Sequence, residues 1–283
     1  MPDPTPAAAV RLRGISLRHG RTEALRDISL DIAADVVTGL VGRNGAGKTS
    51  LLRVIADFEP RHRGTVEAFG RVMLTSDRWA AAADQSVASM IGHLRRTQPG
   101  FDADRAHELL SRFGVPARAG VLRLSRGQAS AAQVSLALAS RAPITLLDEP
   151  HLGLDAPSRD LFAALVVEEL QTHPRTIVIS THLIDETAPL FERLIVLDAG
   201  RVVADDDVDT LLGRWVRVQG SEARMAGVPL LQPERLGGRV TGIVERTILD
   251  AVGADGARVS SLSVQELAGV LPLASHPSPQ EAS

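Results

Sequence analysis

The sequence predicts an α/β fold in which short apolar strands alternate with helices. Three observations carry this. Gly42-Arg43-Asn44-Gly45-Ala46-Gly47-Lys48-Thr49 fits the pattern G-x-x-x-x-G-K-[ST] and stands between the apolar run Val36–Val41 and a helix start at Thr49. Ile144–Leu147 is a second short apolar run, and it ends in Asp148 and Glu149. Strand-like and helix-like segments keep alternating up to about residue 213.

The 283 residues suit one large domain or one domain with a small appendage. A hydrophobic fraction of 44% and a charged fraction of 23% exclude disorder as the main state. With 31 basic and 34 acidic residues, the net charge of -3 gives no reason to expect a nucleic-acid backbone as partner. Cysteine is absent, which excludes disulfides, a thiolate zinc site and a catalytic thiol. No apolar run approaches the roughly 18 residues of a membrane span. The amino-terminal residues lack the basic and apolar regions of a secretory leader. A cytoplasmic chain is therefore expected. Every basic residue but one is Arg, and the exception is Lys48. An ammonium is a compact point charge, whereas a guanidinium is a wide planar fork. A tight phosphate-wrapping loop would select the former.

In chain order, residues 1–9 read as a Pro/Ala tail. Strands are expected at Val10–Leu17, Ile28–Ile32 and Val36–Val41, where β-branched and other apolar residues recur. The three glycines of Gly42–Gly47 interrupt the pattern, and a helix follows over Thr49–Ala56. Thr65–Phe69 reads as a strand closing a small β element. Residues 80–140 read as mostly helical: Val87–Arg96, Ala103–Phe113 and Gln128–Arg141 place apolar residues three and four apart. Beyond the strand Ile144–Leu147, a helix over Ser158–Gln171 is signalled by Pro157 at its start. Thr176–Ser180 is the next strand, leading into Thr181-His182. Leu194–Leu197 and Arg201–Ala204 form a hairpin around Asp198-Ala199-Gly200, and Asp206–Gly213 a short helix. After Trp215 glycines become frequent. Strands are expected at Trp215–Val218, Val240–Val244 and Arg258–Ser260, a helix at Ser263–Leu271, and a solvated tail from residue 273. The chain thus divides into a tail (1–9), a main unit (10–213, with a helical portion at about 80–140), a small α+β accessory unit (214–272) and a second tail (273–283).

The glycine segment carries the most specific chemistry. Its glycines let successive backbone N–H groups point into one concavity, and the following helix adds its positive end. Gly42, Asn44, Gly45, Gly47, Lys48, Thr49 and Ser50 are the candidate phosphate-binding residues. Lys48 would reach the β- and γ-phosphates, and the Thr49 hydroxyl would ligate Mg2+. A buried strand would deliver Asp148 beside this loop to hold the metal shell, and Glu149 to polarise a water for in-line attack. Acidic residues after a strand are often only a solvated loop. The phosphate loop 100 residues upstream of Asp148 gives these two their meaning. Leu124-Ser125-Arg126-Gly127-Gln128 reads by itself as a helix start, with Ser as N-cap.

Taken together these motifs resemble the ATP-binding cassette of ABC transporters, whose LSGGQ signature lies between the phosphate loop and the acidic strand. Leu152-Gly153-Leu154-Asp155 resembles its D-loop, and His182 its switch histidine. The similarity spans roughly residues 8–213. It implies a P-loop NTPase fold with a RecA-like core, an antiparallel β subdomain and a helical subdomain, followed by the small C-terminal extension. It also implies a head-to-tail dimer, homo- or heteromeric, in which ATP lies between the phosphate loop of one copy and the signature of the other. Ser125, Gly127 and Gln128 would then serve the nucleotide across the interface, Asp155 would couple the two sites, and His182 would hold the γ-phosphate and the attacking water. Two departures stand out. Where the family stacks an aromatic ring on adenine, this chain has no Tyr and offers His19, which is either that stacking group or a surface histidine. Where the family has a metal-sensing Gln, Ser76 or Asp77 stands, and Asp77 is the candidate metal contact. Trp79 nearby suits either a partner helix or local packing. The segment Thr97–Gly114 and the extension after Trp215 are similar to those of cassettes serving small ABC-2-type exporters of the YtrB-like group.

The expected function is that of an ATP-hydrolysing subunit powering transport, with export favoured, through membrane-spanning permease subunits on separate chains. The cofactors are ATP and Mg2+, and the place is the inner face of the cell membrane. The alternatives are a soluble ABC-type ATPase acting on nucleic acid or ribosomes, and a nucleotide-binding regulator. Only 75 residues separate Lys48 from Arg123, too few for the inserted coiled coils of repair and chromosome-structure members, and one cassette is present where translation factors carry two. Glu149 and His182 are both present, which disfavours an inactive regulator.

Overall fold

The computed structural model describes residues 7–75, 85–252 and 256–275. The chain opens with two long antiparallel strands, β1 (Ala8–His19) and β2 (Thr22–Ala33). β3 (Val37–Val41) leads through the glycine segment into α1 (Lys48–Ile55). β4 (Arg63–Ala68) returns to pair with β1, giving an antiparallel sheet in the order β2-β1-β4, and β5 (Val72–Thr75) enters the main sheet. α2 (Val87–Thr97), α3 (Ala103–Arg112) and α4 (Arg126–Ala139) form the helical portion. There follow β6 (Ile144–Asp148), α5 (Ala156–Thr172), β7 (Thr176–Thr181), a single turn α6 (Ile184–Thr187), the hairpin β8 (Arg193–Asp198) and β9 (Arg201–Asp207), and α7 (Val208–Arg214).

The main sheet has six strands in the order β5-β6-β7-β3-β8-β9, parallel except for β9. Its inner strands are apolar runs because both faces are covered, as a parallel sheet requires. Alternate residues feed two cores. Leu40, Leu146, Val178 and Ile195 pack with α1 and the antiparallel sheet, whereas Val41, Leu147, Ile177 and Val196 pack with α4 and α5. The crossovers place β7 between β3 and β6, with Val41 beside Thr181 and Ser180 beside Asp148. Three carboxyl-terminal strand ends therefore lie side by side, the place where open α/β sheets bind ligands.

The helices begin where capping residues stand. Ser86 caps α2 and accepts from Ser89 N at 3.1 Å, and Asp102 caps α3 and accepts from Arg105 N at 2.8 Å. Several expected boundaries shift. β1 begins at Ala8, inside the segment read as a tail. β2 reaches back to Thr22, because Asp27 at φ 50° and neighbouring register shifts break the alternation that would reveal the longer strand. Residues 205–207 extend β9 rather than opening a helix: Asp205 and Asp207 bond Arg193 across the hairpin at 3.2 and 3.1 Å.

Beyond α7, the strands β10 (Trp215–Ser221), β11 (Leu231–Leu236), β12 (Arg239–Glu245) and β13 (Arg258–Ser260) form a separate antiparallel sheet ordered β11-β12-β10-β13. The turn α8 (Glu222–Met225) and the short helix α9 (Arg246–Val252) accompany it. The last helix, α10 (Val264–Ser275), extends past the expected Leu271 and packs against β8, β9, α6 and α7. Among the described residues no helix is long and apolar enough to cross a membrane.

Candidate active site

The glycine segment is bent by sterics that only glycine satisfies at two points. Gly42 has φ 150°, and a Cβ there would lie 2.2 Å from Leu197 O. Gly47 has φ 110°, and its Cβ would lie 2.7 Å from Ala24 O. The loop is thereby wedged between β8 and β2 and delivers the start of α1 to the end of the sheet. Among α1–α5, α1 alone has no side chain capping its amino terminus. Its first amides, at Lys48, Thr49 and Ser50, point at whatever lies in front of the loop, which is the donor set a polyphosphate needs. The Lys48 side chain is 7% exposed, and its Nζ donates to Gly42 O at 2.8 Å. Asn44 and Gly45 form the exposed crest of the loop.

The adjacent strand ends supply the acids. Asp148 closes β6, and its Oδ1 accepts a hydrogen bond from the Ser180 hydroxyl on β7. Its backbone N–H donates to Thr75 Oγ1 at 3.1 Å. Glu149 follows with φ 47°, a left-handed turn that a non-glycine residue adopts at a cost. That turn swings its carboxylate away from Asp148 and over the loop. Oε1 lies 3.8 Å from Lys48 Nζ, and Oε2 accepts from His182 Nδ1 at 2.7 Å. Lys48, Glu149 and His182 thus form a continuous chain across the ends of β3, β6 and β7.

A cavity of about 480 Å³ opens in front of this chain, lined among others by His19, Thr49, Ser50, Asp148 and Glu149. His19 Nε2 meets Ser50 Oγ at 3.2 Å, so the residue proposed for the base stands at the cavity edge. Thr49 and Asp148 bring hard oxygen atoms to the same space, as Mg2+ requires. Among the described residues no three His, Asp or Glu side chains cluster to hold a metal by themselves, so an ion here would depend on phosphate oxygens as well. Asp77, Ser76 and Trp79 lie outside the described residues.

Ser125, Gly127, Gln128 and Asp155 do not line this cavity. Ser125 caps α4: its Oγ accepts from Gln128 N at 3.2 Å, and Gln128 Oε1 accepts from Ser125 N at 3.1 Å. Gln128 is thereby engaged in its own helix start, which explains why α4 begins two residues before the apolar spacing predicts. Gly127 is glycine because a Cβ would sit 2.4 Å from Gly153 O, so the signature turn rests on the Leu152-Gly153-Leu154-Asp155 segment. Asp155 caps α5, accepting from Ser158 N at 3.0 Å, and hydrogen bonds from the Ser158 side chain and then its backbone hold its carboxyl below the usual range.

Sequence spacing overlooks two participants. Ser180 reaches Asp148 only because β6 and β7 are neighbours, which no local pattern encodes. His151, two residues past Glu149, is fully buried, with Nε2 2.8 Å from Thr181 Oγ1. Burial, helped by nearby His182 and Arg159, pushes it down to about 4, so it is neutral at physiological pH.

Residues 25–152 match the family model described as ABC transporter. An aliphatic sulfonates import ATP-binding protein, SsuB 2, of Xanthomonas axonopodis pv. citri is 35% identical over 217 residues, 71% of this chain and 72% of its own. The ABC transporter ATP-binding protein YtrB of Bacillus subtilis is 28% identical over 221 residues, 74% and 76% of the two chains. The fold agrees with a solved ATP-binding subunit of an ABC transporter at TM-score 0.64 and 18% identity, over 72% of this chain and 91% of that one. It also agrees with a dimeric cassette solved in a post-hydrolysis state with ADP and Pi, at TM-score 0.62 and 21% identity, over 70% and 98%. The preference for export finds no support here, since the 35% relative is named for import. By its motifs, its fold and this likeness, the chain belongs to the ATP-binding cassette family, the ATPase subunits of ABC transporters.

Proposed function

We propose that this chain binds Mg-ATP at the cavity in front of β3, hydrolyses it in a site completed by a second cassette, and so powers transport through separate membrane-spanning subunits. The observation that carries the hydrolytic reading is the Lys48–Glu149–His182 chain at one end of the sheet. Lys48 would exchange the Gly42 carbonyl for the β- and γ-phosphates. Glu149 Oε2 would accept the proton of the attacking water, and His182 would turn to the γ-phosphate and hold that water. Thr49 and Asp148 would hold Mg2+, which when bound neutralises phosphate charge. Asp77 remains a candidate for a further contact. Asn44, Gly45 and Ser50 would complete the phosphate cradle, and His19 would stack on the base.

The dimer is supported by what the cavity lacks. The start of α4 and Asp155 lie outside the chain's own cavity, so they are available to a second copy. The homologous fold solved as a dimer accords with this. Ser125 and Gly127 would face the partner's γ-phosphate, while Gln128 acts by bracing that helix start. Residues 10–213 would form the cassette, docked on the inner face of the membrane against a permease, with residues 214–272 as an accessory unit. Direction and substrate belong to the permease.

The test is Glu149→Gln. The variant is expected to bind ATP as tightly as wild type, to lose ATPase activity by at least roughly a hundredfold, and to elute as a dimer with Mg-ATP. An undiminished rate would remove Glu149 from the chemistry, and a persistent monomer would refute the shared site. Co-purification with a membrane protein checks the transport role.

A further inference from the structure

Glu149 has three basic neighbours among the described residues: His182 Nδ1 at 2.7 Å, Lys48 Nζ at 3.8 Å, and His151 Nε2, which lies 3.7 Å from Oε2. The first two are the groups a bound γ-phosphate would recruit. Once they turn to the nucleotide, the carboxylate loses both partners at the moment it must be aimed at water. Its backbone is held, with Glu149 N donating to Ser180 O at 3.0 Å, but those bonds leave the carboxylate itself without a partner. His151 does not move with them. It is 1% exposed and does not line the cavity in front of the phosphate loop.

Hydrogen-bond bookkeeping fixes what His151 offers. Thr181 Oγ1 accepts from Leu183 N at 2.8 Å and meets His151 Nε2 at 2.8 Å. His151 Nδ1 is buried without a partner among the described residues. A buried orphan N–H is rarer in proteins than an under-used acceptor, so the proton belongs on Nε2 and Nδ1 keeps its lone pair. That N–H faces two oxygens, Thr181 Oγ1 and, slightly too far, Glu149 Oε2. A shift of roughly 0.5–1 Å by the carboxylate brings the second pair into hydrogen-bond range.

We propose that His151 is a positioning residue that takes over the Glu149 carboxylate when His182 leaves it, holding the base aimed while the switch histidine serves the phosphate. An N–H from a neutral imidazole orients a carboxylate while lowering its basicity less than a full positive charge beside it would. Through Thr181 the same ring also fixes the strand end from which His182 projects. The inference rests on the ATPase function proposed above.

The test compares His151→Phe, which keeps ring bulk but has no donor, with His151→Gln, which keeps a donor at similar reach. His151→Phe is expected to lower kcat for ATP by roughly tenfold, a fraction of what a positioned base supplies. KM and ATP affinity from fluorescent-nucleotide titration should stay within about twofold of wild type. His151→Gln should recover most of the rate. In the Glu149→Gln background, adding His151→Phe should leave the Mg-ATP dimer unchanged, because no base is left to be aimed. Unchanged kcat in His151→Phe overturns the proposal, as does equal loss in both variants. Should His151→Phe fail to fold, His151→Asn replaces it; its shorter amide cannot span the gap, and a kcat equal to that of His151→Gln again overturns the proposal. Full activity in Glu149→Gln would instead overturn the underlying function. Loss there beside an indifferent His151→Phe overturns this inference alone.

Discussion

Asp148 and Glu149 are adjacent in sequence yet face different surroundings. Asp148 continues the strand and meets the Ser180 hydroxyl, whereas Glu149 turns left-handed and meets His182 and Lys48. One residue offset and one unusual φ separate the candidate metal ligand from the candidate base. The pair of acids is legible in the sequence, because an apolar strand must end before its acids can reach a loop; the left-handed φ of Glu149 is not. The buried shell is not legible. Ser180 and His151 act across the β6–β7 pairing, and that adjacency arises from a crossover rather than from spacing. His151 leads to a pH prediction. Its folded value is about 4, against an ordinary value near 6.5. Between these limits the unfolded chain binds a proton that the folded one refuses. Stability therefore falls as pH drops from 6.5 to 4 and gains no further loss from this group below 4. The difference is at most about 3–4 kcal/mol. Urea melts of wild type and His151→Phe across that range are expected to converge as pH falls, with the wild type losing more; parallel curves would show that His151 is not held neutral by burial.

At the level of elements, the helical portion is joined to the sheet core by a charge cluster that no motif announces. Glu169 on α5 is 1% exposed and accepts hydrogen bonds from Arg105, Arg141 and Arg175. Arg105 comes from α3, and its Nε meets Oε1 at 2.8 Å. Arg141, just past α4, also reaches Asp102 at 3.2 Å. One buried carboxylate therefore anchors three arginines drawn from both sides of the junction. The helices themselves are readable because apolar residues recur three and four apart, and Ser125 marks the start of α4. Strand β11 is not, since Leu-Gln-Pro-Glu-Arg-Leu lies at a sheet edge, is mostly exposed and shows no alternation. Glu169→Gln is expected to destabilise the protein by about 3–5 kcal/mol, because it strands buried guanidinium groups. Glu168→Gln is the control. Glu168 binds Arg105 and Arg112 at 2.6 and 2.7 Å but is 41% exposed, and its loss should cost about 1 kcal/mol or less. Equal midpoints in urea for the two variants would mean that the buried cluster does not tie the helical portion down.

Across the whole molecule, the accessory sheet has a small core of its own, including Val216, Val218, Met225 and Val244, yet its closing helix does not belong to that core. Leu267, Val270 and Leu271 of α10 lie in the same cluster as Leu194, Val196 and Leu211 of the cassette, together with Trp215 and Ile243 from the accessory strands. The chain leaves the cassette after α7, builds a sheet, and then returns to cover the surface it left. Folding of the two parts should be coupled through that helix, because neither buries its share of the cluster alone. Leu267→Ala removes a fully buried side chain at the junction and is expected to cost about 2–5 kcal/mol. The loss should appear as one transition shifted to lower urea, seen alike by far-UV circular dichroism and by ATP binding. Val218→Ala, placed within the accessory core, should shift that same transition. If Leu267→Ala instead split the melt, with nucleotide binding surviving after part of the dichroism signal is lost, the accessory sheet would be an independent passenger. A single transition means that α10 makes the stability of the nucleotide site depend on a unit outside the cassette.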